Sequence, residues 1–470
     1  MNLSRSLLMI PVLFACAMLA LRPADGQISD RTMWEATAHD ILKQLVEINT
    51  TDSTGSVTRA AEQVSTRLAS AGFPAADIDL VGEHPRKKNL IVRLHGNGLR
   101  RPLLLLAHLD VVDARRQDWS VDPFTLLERD GYYYGRGTSD DKDMAAIWIA
   151  NLIRLKKEGF IPDRDIIVAL TADEEQGDFN GVQWLVKRRR DLIDAAVCLN
   201  EGGGGSERNG KRIANEVQAS EKVYLSFSLE VKNRGGHSSL PTRDNAIYRL
   251  ASGLVRLSQY SFPVRLTEVT RTFFARSSLL QQGWLAEDMK TIGSVGNDSG
   301  AAARLSTVPY YNALLRTTGV ATRLMAGHAD NALPQTAFAI VNCRLLPGDS
   351  AESVKSILER VVADSQIVVR PIGVPKPSPP SPLSPEILGP IQDITAAMWP
   401  GIPVIPVMGT GATDGLHLRI AGIPTYGVSG IFEDMDDIRA HGKDERIGVR
   451  EFYEGQEFLY RLVKRLCTEQ

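Results

Sequence analysis

The chain has 470 residues and a formal net charge of −2 at pH 7, with 43% hydrophobic and 23% charged residues. A single hydrophobic core stops growing near roughly 250 to 300 residues, so we expect two folded domains. The composition is typical of a soluble globular protein, and the lack of a basic surplus argues against a nucleic-acid-binding protein.

The N-terminus has the order of a secretory signal peptide. Arg5 precedes an apolar segment of about 15 residues, LLMIPVLFACAMLAL, which is followed by RPADGQ. This segment is shorter than the roughly 20 residues of a membrane-spanning helix, which favours a signal over residues 1–26 rather than an uncleaved anchor. LFAC resembles a lipoprotein cleavage site at Cys16, but Phe14 is atypical there. We therefore predict an exported protein, periplasmic or secreted, without a lipid anchor.

Cysteine usage predicts no disulfide framework. Removal of the signal would take Cys16 with it and leave Cys198, Cys343 and Cys467. These three are widely spaced and odd in number, which is not the pattern of a disulfide-stabilised domain.

Residues 27–218 alternate between buried strands and helices. Apolar stretches that run into polar or glycine-rich sequence predict strands at LLLLAHLD, DIIVALTADEE and AAVCLNEGGGG. Between them, DMAAIWIANLIRLKKEG and GVQWLVKRRRDLI have the pattern of helices. This alternation predicts an α/β domain with a central, mostly parallel sheet, whose strands deliver site residues at their carboxyl ends.

Residues 219–375 have a different pattern, which predicts a small inserted α+β domain. KVYLSFSLEVKN, TAFAIVNCRLL and QIVVRPI predict strands, while NAIYRLASGLVRLSQY and SAESVKSILERVVAD predict helices. Residues 261–330 lack a clear period, and we treat them as a long insertion within this domain. The proline-rich PKPSPPSPLSP leads back to the first domain, which residues 376–470 complete with a further buried strand, VIPVMGTGATDG.

Polar residues follow the first predicted strand and the loop after it. On a strand, residues two apart point the same way, so Asp110 can fix the tautomer of a metal-binding His108. Asp140 and Asp141 lie in a glycine-bounded loop, where adjacent carboxylates repel unless a cation or basic group compensates them. Taken singly, these residues are also compatible with a structural histidine and a solvated helix cap.

More acids follow the next two strands. Asp173, Glu174 and Glu175 come directly after an apolar run, which indicates a nearby metal or a strand that ends in open water. Glu201 ends another strand beside glycines that permit close backbone approach, and His441 lies far downstream. Carboxylates and imidazoles around a hydrolytic centre suit zinc, and two zinc ions that share a carboxylate lie about 3.5 to 4 Å apart.

The order of these motifs resembles metallopeptidase family twenty, a family of co-catalytic zinc hydrolases. The matching segments, from His108 to Glu445, are AHLDVVDA, YGRGTSDDKD, TADEEQGD, LNEGG, GGHSSLPTRDNAI and HGKDER. The family includes glutamate carboxypeptidases, aminoacylases, carnosinases, acetylornithine deacetylase and succinyl-diaminopimelate desuccinylase. The resemblance implies a zinc-exopeptidase-like catalytic domain with an inserted lid and dimerisation domain.

The resemblance also implies roles for residues of the catalytic domain. The ligands of two zinc ions would be His108, Asp140 and Glu201 for one ion, and Asp140, Glu175 and His441 for the other. Asp140 would bridge the ions, and Asp110 would orient His108. Glu174 corresponds to the general base, which passes a proton from water to the leaving nitrogen and typically contributes about 10² to 10⁴ in rate.

The inserted domain would carry further site residues. By the resemblance, His237 supports the developing oxyanion, often across a dimer interface. Asn331 and Arg344 would bind the substrate, and an arginine fork suits a carboxylate. A turn cap for His237 and a surface ion pair for Arg344 are the structural alternatives. The backbone loop near the carboxylate would comprise Gly409, Thr410 and Gly411.

The sequence departs from the family pattern at Asp143, where a glycine is usual. By the resemblance, Glu201 in place of aspartate favours carboxypeptidase or deacylase activity. We predict a dinuclear zinc hydrolase that cleaves an amide bond next to a free carboxylate, in a short peptide or an N-acyl amino acid. The alternatives are an aminopeptidase or dipeptidase of the same family and a metal-free binding relic.

Overall fold

The computed structural model describes residues 25–468, and side chains from residue 32 onward. The predicted signal lies almost entirely outside the described residues, so export stays a prediction. The described helices are α1 (Asp25–Val46), α2 (Val57–Ser70), α3 (Lys142–Lys157), α4 (Gly181–Arg188), α5 (Arg190–Ile193), α6 (Ala246–Ser258), α7 (Glu268–Ser277), α8 (Gly283–Val295), α9 (Ser299–Leu305), α10 (Pro309–Leu315), α11 (Ala351–Val362), α12 (Pro385–Met398), α13 (Gly415–Ile420) and α14 (Val449–Leu466). The described strands are β1 (Ile78–Val81), β2 (Asn89–Leu94), β3 (Leu103–His108), β4 (Leu127–Arg129), β5 (Tyr132–Tyr134), β6 (Ile166–Thr171), β7 (Val197–Asn200), β8 (Gly205–Arg208), β9 (Lys211–Glu221), β10 (Val223–Lys232), β11 (Gly236–His237), β12 (Thr318–Ala326), β13 (Ala332–Leu333), β14 (Thr336–Leu345), β15 (Ile367–Ile372), β16 (Val404–Gly409), β17 (Thr425–Gly427), β18 (Phe432–Asp434) and β19 (Arg446–Gly448).

A ten-stranded mixed sheet forms the centre of the larger domain. Its order is β1-β2-β6-β3-β7-β17-β9-β8-β18, with β16 paired to β9 off this path. The central strands β6, β3, β7 and β17 run parallel, so the residues that follow them meet at one edge. Every residue of β3, β6 and β7 is buried, which explains their continuous apolar sequence. The predicted α/β fold is confirmed.

Helix α3 places the loop that precedes it beside the end of β3. The helix is buried along almost its whole length, in one core with β3, α1 and α14. The Trp148 indole N–H donates to the Leu106 carbonyl oxygen of β3 at 3.1 Å. Because α3 begins at Lys142, this packing brings Asp140 and Asp141 to the carboxyl end of β3.

A four-stranded antiparallel sheet, in the order β12-β14-β10-β15, forms the smaller domain. Alternate residues of β10 and β14, such as Phe227 and Val341, pack with α6 and α11 in a separate core. The chain passes between the two sheets at Lys222, where β9 ends and β10 follows. Strand β12 is an edge strand on which eight of nine residues are exposed.

The structure places the long insertion differently from the sequence analysis. Residues 268–315 form four short helices, α7 to α10, and their apolar residues join the core of the larger domain. Phe273 and Phe274 belong to this core, and the Arg276 guanidinium donates to the Val404 carbonyl oxygen at 2.7 Å. Placing this segment in the small domain was wrong, because its buried faces cover the β16 side of the large sheet. None of the helices within the described residues is long and apolar enough to cross a membrane.

Candidate metal centre

The motifs that follow the central strands converge on Asp140. Its Oδ1 lies 3.0 Å from the His108 Nε2, and its Oδ2 lies 3.0 Å from the His441 Nε2. The same His441 nitrogen lies 2.8 Å from the Glu175 Oε1, and the Glu201 Oε1 lies 4.0 Å from the His108 Nε2. The structure therefore brings together all five residues that the sequence analysis named as metal ligands.

These side chains form two groups that can each hold a cation. In each group, one imidazole nitrogen and two carboxylate oxygens lie within 4.8 Å of one another. Asp140 belongs to both groups and offers one oxygen to each, as a bridging carboxylate does. Imidazole nitrogens and carboxylate oxygens are both zinc ligands, and catalytic zinc sites have three protein ligands, as each of these groups provides. The residues present thus fit two adjacent divalent cations.

Electrostatics at the site favour a positive charge. The Asp140 and Glu175 carboxylates raise the pKa of His441 to about 10. Burial raises the pKa of Glu174 to about 10, and neighbouring carboxylates such as Glu201 add to this effect. For Asp140, burial opposes ionisation, but hydrogen bonds from His108 and His441 lower its pKa overall. A carboxylate-rich cluster that raises the pKa of its members also favours the binding of divalent cations, which would compensate the buried negative charges.

Asp110 acts on two parts of the site. The Nδ1 of His108 donates to the Asp110 backbone carbonyl oxygen at 2.9 Å, whereas the Asp110 carboxylate is 3.7 Å away from that nitrogen. The carboxylate instead accepts from the backbone N–H groups of Glu174 at 3.2 Å and Glu175 at 3.0 Å. Asp110 therefore orients His108 through its backbone and holds the following loop through its side chain.

Lys87 is a positioning residue that sequence reasoning missed. Asp173 has a left-handed backbone (φ 57°), and its carboxylate accepts from the Phe179 N–H at 3.1 Å. The Lys87 ammonium donates to this carboxylate at 2.7 Å and also pairs with Asp52. Lys87 thereby fixes the loop that carries Glu174. A buried lysine far upstream in the sequence gives no local signal of this role.

Arg136 and Glu445 tie the Asp140 loop to the His441 loop. Their side chains form a buried ion pair, and the Glu445 Oε1 accepts from the Gly137 and Ser139 N–H groups at 3.0 Å each. The Arg136 guanidinium also donates to the carbonyl oxygens of His441 and Gly442. Both residues lie within the quoted motifs, but their link spans about 300 positions and only the fold reveals it.

An open cleft of about 600 Å³ lies beside the centre. Glu174, Glu175, Thr413 and Asp414 are among the residues that line it. The predicted Gly409, Thr410 and Gly411 precede the lining part of this loop, which begins at Ala412.

Glu221, another residue that sequence reasoning missed, holds the loop that borders the cleft. Its carboxylate accepts from the Thr413 N–H at 3.0 Å and Oγ1–H at 3.1 Å. It also pairs with the Arg419 guanidinium at 2.6 Å, with both side chains 2% exposed. Because Glu221 ends β9, the loop is anchored directly beside the passage into the smaller domain.

The predicted residues of the smaller domain do not reach the centre within one chain. His237 and Asn331 are exposed neighbours, and the Ser238 N–H donates to the Asn331 carbonyl oxygen at 3.0 Å. Within residues 32–468, neither residue forms a hydrogen bond or ion pair with a metal ligand. Arg344 lies on β14, and its guanidinium is 4.9 Å from the centroid of the Tyr224 ring; its role in binding substrate stays a prediction.

Asp143, the departure from the family pattern, is buried in the first turn of α3. Burial raises its pKa well above the usual range, and its Oδ1 has no hydrogen-bond partner. The neutral acid is therefore favoured, which reduces the extra charge expected near the metal loop.

This arrangement is that of a metal-dependent hydrolase: two candidate cation sites share Asp140, and Glu174 lines the open cleft beside them. The model of the peptidase family M20/M25/M40 matches residues 104–465, and the chain belongs to this family. The resemblance in the motifs is confirmed. The protein is a metallo-exopeptidase or amidohydrolase.

Several known proteins are similar to this chain. Human N-fatty-acyl-amino acid synthase/hydrolase PM20D1 is 29% identical over 389 residues, covering 79% of this chain and 75% of the human protein. Probable carboxypeptidase S-like 2 of Dictyostelium discoideum is 30% identical over 380 residues, covering 77% of this chain and 71% of that protein. The crystal structure of the metallo-carboxypeptidase Sso-CP2 from Sulfolobus solfataricus has a TM-score of 0.67 at 18% identity, and covers 91% of this chain and 99% of that one.

Proposed function

We propose that the protein is a dinuclear zinc hydrolase that cleaves the amide bond next to a free carboxylate. Its substrates are N-acyl amino acids or short peptides that release their C-terminal residue. The observation that carries this proposal is the pair of ligand groups that share Asp140, beside a cleft lined by Glu174 and the ligand Glu175. The names of the human and Dictyostelium relatives support a substrate with an acyl group on one side and an amino acid on the other.

Each residue of the centre has a separate role in the proposed hydrolysis. Bound zinc ions would lower the pKa of water and polarise the substrate carbonyl. Glu174 takes the proton from the attacking water and delivers it to the leaving nitrogen, which departs as the amine of the released amino acid. Asp110 keeps Glu174 beside the ligands through the backbone hydrogen bond at 3.2 Å. The loop held by Glu221 borders the carboxylate end of the substrate.

A panel of matched amides tests this function. We expect the zinc-loaded protein to cleave N-acetyl and N-oleoyl leucine at least about tenfold more efficiently than their C-terminal amides, because the lost charge-assisted contact typically contributes that much. Products are quantified by mass spectrometry. Cleavage restricted to dipeptides with a free α-amine would contradict the proposal and favour the dipeptidase alternative.

We further propose that two chains assemble into a dimer in which His237 serves the partner's centre. The exposed edge strand β12 and the exposed side chains of Tyr248 and Val255 on α6 provide apolar, unpaired surface for a second copy. His237 and Asn331 are solvent-exposed in the single chain, as residues that act in a neighbouring site would be. A substrate oxyanion needs a hydrogen-bond donor, and the exposed imidazole of His237 supplies one in this arrangement.

Mixing two inactive variants distinguishes action across a dimer from action within one chain. A Glu174→Gln chain and a His237→Ala chain are each expected to be inactive. A refolded equimolar mixture should regain about a quarter of the wild-type activity, since half of the dimers carry one intact composite site. No recovery in dimers that have demonstrably exchanged subunits would place His237 in the site of its own chain.

A further inference from the structure

A second cavity opens beside the catalytic cleft. Its volume is about 240 Å³, and Lys376, Ala412 and Leu416 line both this cavity and the cleft. The two spaces therefore meet at these three side chains. A substrate held in the cleft can extend a group into the cavity without any rearrangement of the backbone.

Five of the nine residues that line the cavity have apolar or aromatic side chains. Val374 is 86% exposed and Tyr224 is 55% exposed, and Val223, Ala412 and Leu416 complete the apolar lining. Covering such side chains with an apolar group of a ligand is favourable, because it removes hydrocarbon surface from water. The geometry favours an apolar occupant over a polar one.

The two buried charged residues in the wall are already paired. Glu221 binds Arg419 and Thr413, and the Lys222 ammonium donates to the carbonyl oxygens of Ala313 at 2.9 Å and Arg316 at 2.8 Å. Both side chains therefore already have hydrogen-bond or ion-pair partners within the protein. Neither group is available to a ligand in the cavity.

Lys376 is a cation at the boundary between the cavity and the cleft. Its side chain is exposed, and it forms no ion pair with any carboxylate of residues 32–468. Because Lys376 lines the cleft, its charge adds to the effect of burial that lowers the pKa of the cleft residue His417 to about 4. Arg344, held over the Tyr224 ring, lines neither space.

We propose that the cavity binds the apolar side chain of the released amino acid and that Lys376 binds its free carboxylate. In an α-amino acid both groups branch from one carbon atom, so the protein must recognise them at adjacent positions. An apolar cavity with an unpaired ammonium at its entrance has this arrangement, whereas an acyl chain has no charge beside it. The inference rests on the proposed function and narrows its substrates to those ending in a bulky apolar residue such as leucine or phenylalanine.

Lys376→Met tests the charge, with Lys290→Met as a matched control at an exposed lysine of α8. For N-acyl leucine we expect Lys376→Met to raise KM about tenfold with little change in kcat, and to leave the C-terminal amide unaffected. Calorimetry of N-acyl leucine binding to a Glu174→Gln background should show the same loss of affinity. Equal effects of the two lysine variants, or of Lys376→Met on acid and amide, would overturn the assignment.

Val374→Asn tests whether the cavity binds an apolar side chain. The substitution should leave the fold intact, because Val374 is exposed. We expect the wild-type protein to prefer N-acyl leucine to N-acyl glycine, and Val374→Asn to lower this preference about fivefold. An active wild-type protein without this preference would overturn the subsite alone. A wild-type protein inactive on every free acid would overturn the proposed function and the subsite with it.

Discussion

Replacement of Glu174 by glutamine is expected to lower kcat by about 10² to 10⁴ while the protein keeps its metal and its fold. The amide has nearly the same shape as the carboxylate but cannot accept the proton from water. The backbone N–H of residue 174 still donates to Asp110, so the loop keeps its position. The measurements are kcat on an N-acyl amino acid, the zinc content and the melting temperature of the same sample.

Asp178→Asn is the matched control for Glu174→Gln. Asp178 is an exposed acid of the same loop and lines the same cleft, but it is not a predicted ligand or base. Its amide variant should retain activity within about threefold, as surface substitutions usually do. Retention of more than about a tenth of the wild-type kcat by Glu174→Gln would contradict the role of Glu174 as base.

Replacement of Asp140 by asparagine is expected to abolish both metal binding and turnover. Each oxygen of Asp140 belongs to a different ligand group, so one substitution weakens both cation sites. Glu201→Gln alters a ligand only in the group that contains His108 and should leave a cation bound in the group that contains His441. Zinc content by mass spectrometry of metals, measured beside activity, separates the two variants.

Asp118→Asn, at an exposed aspartate outside the centre, is the control for Asp140→Asn and should bind as many ions as the wild-type protein. Two tightly bound ions in the Asp140→Asn protein would show that Asp140 is not the bridging ligand.

Local pattern was sufficient to predict the elements that carry the metal ligands. Strands β3, β6 and β7 are buried at every position and apolar up to their last residue because both faces of the sheet are covered, and His108, Asp173 and Glu201 mark their ends. Parallel strands deliver such residues to one edge, so the cluster follows from strand order. His441 lies far downstream of these strands, and its place in the set came from the family motif rather than from periodicity.

The parts that sequence reasoning missed depend on contacts between distant segments. The helices α7 to α10 contain 7 to 13 residues each and follow one another closely, so no single period runs through the segment. The pairs Arg136–Glu445 and Glu221–Arg419 join residues about 300 and 200 positions apart. For Asp110, the sequence predicted an orienting role but could not distinguish its carbonyl oxygen from its carboxylate.

The proposed zinc-dependent function is tested by the rate at which protein that has been stripped of metal, and then titrated with zinc, hydrolyses N-acyl leucine. We predict no cleavage without metal, full activity as two zinc ions bind per chain, and poor cleavage of the C-terminal amide under the same conditions. Hydrolysis that persists in the metal-free protein, or no hydrolysis of any free acid with two zinc ions bound, would contradict it.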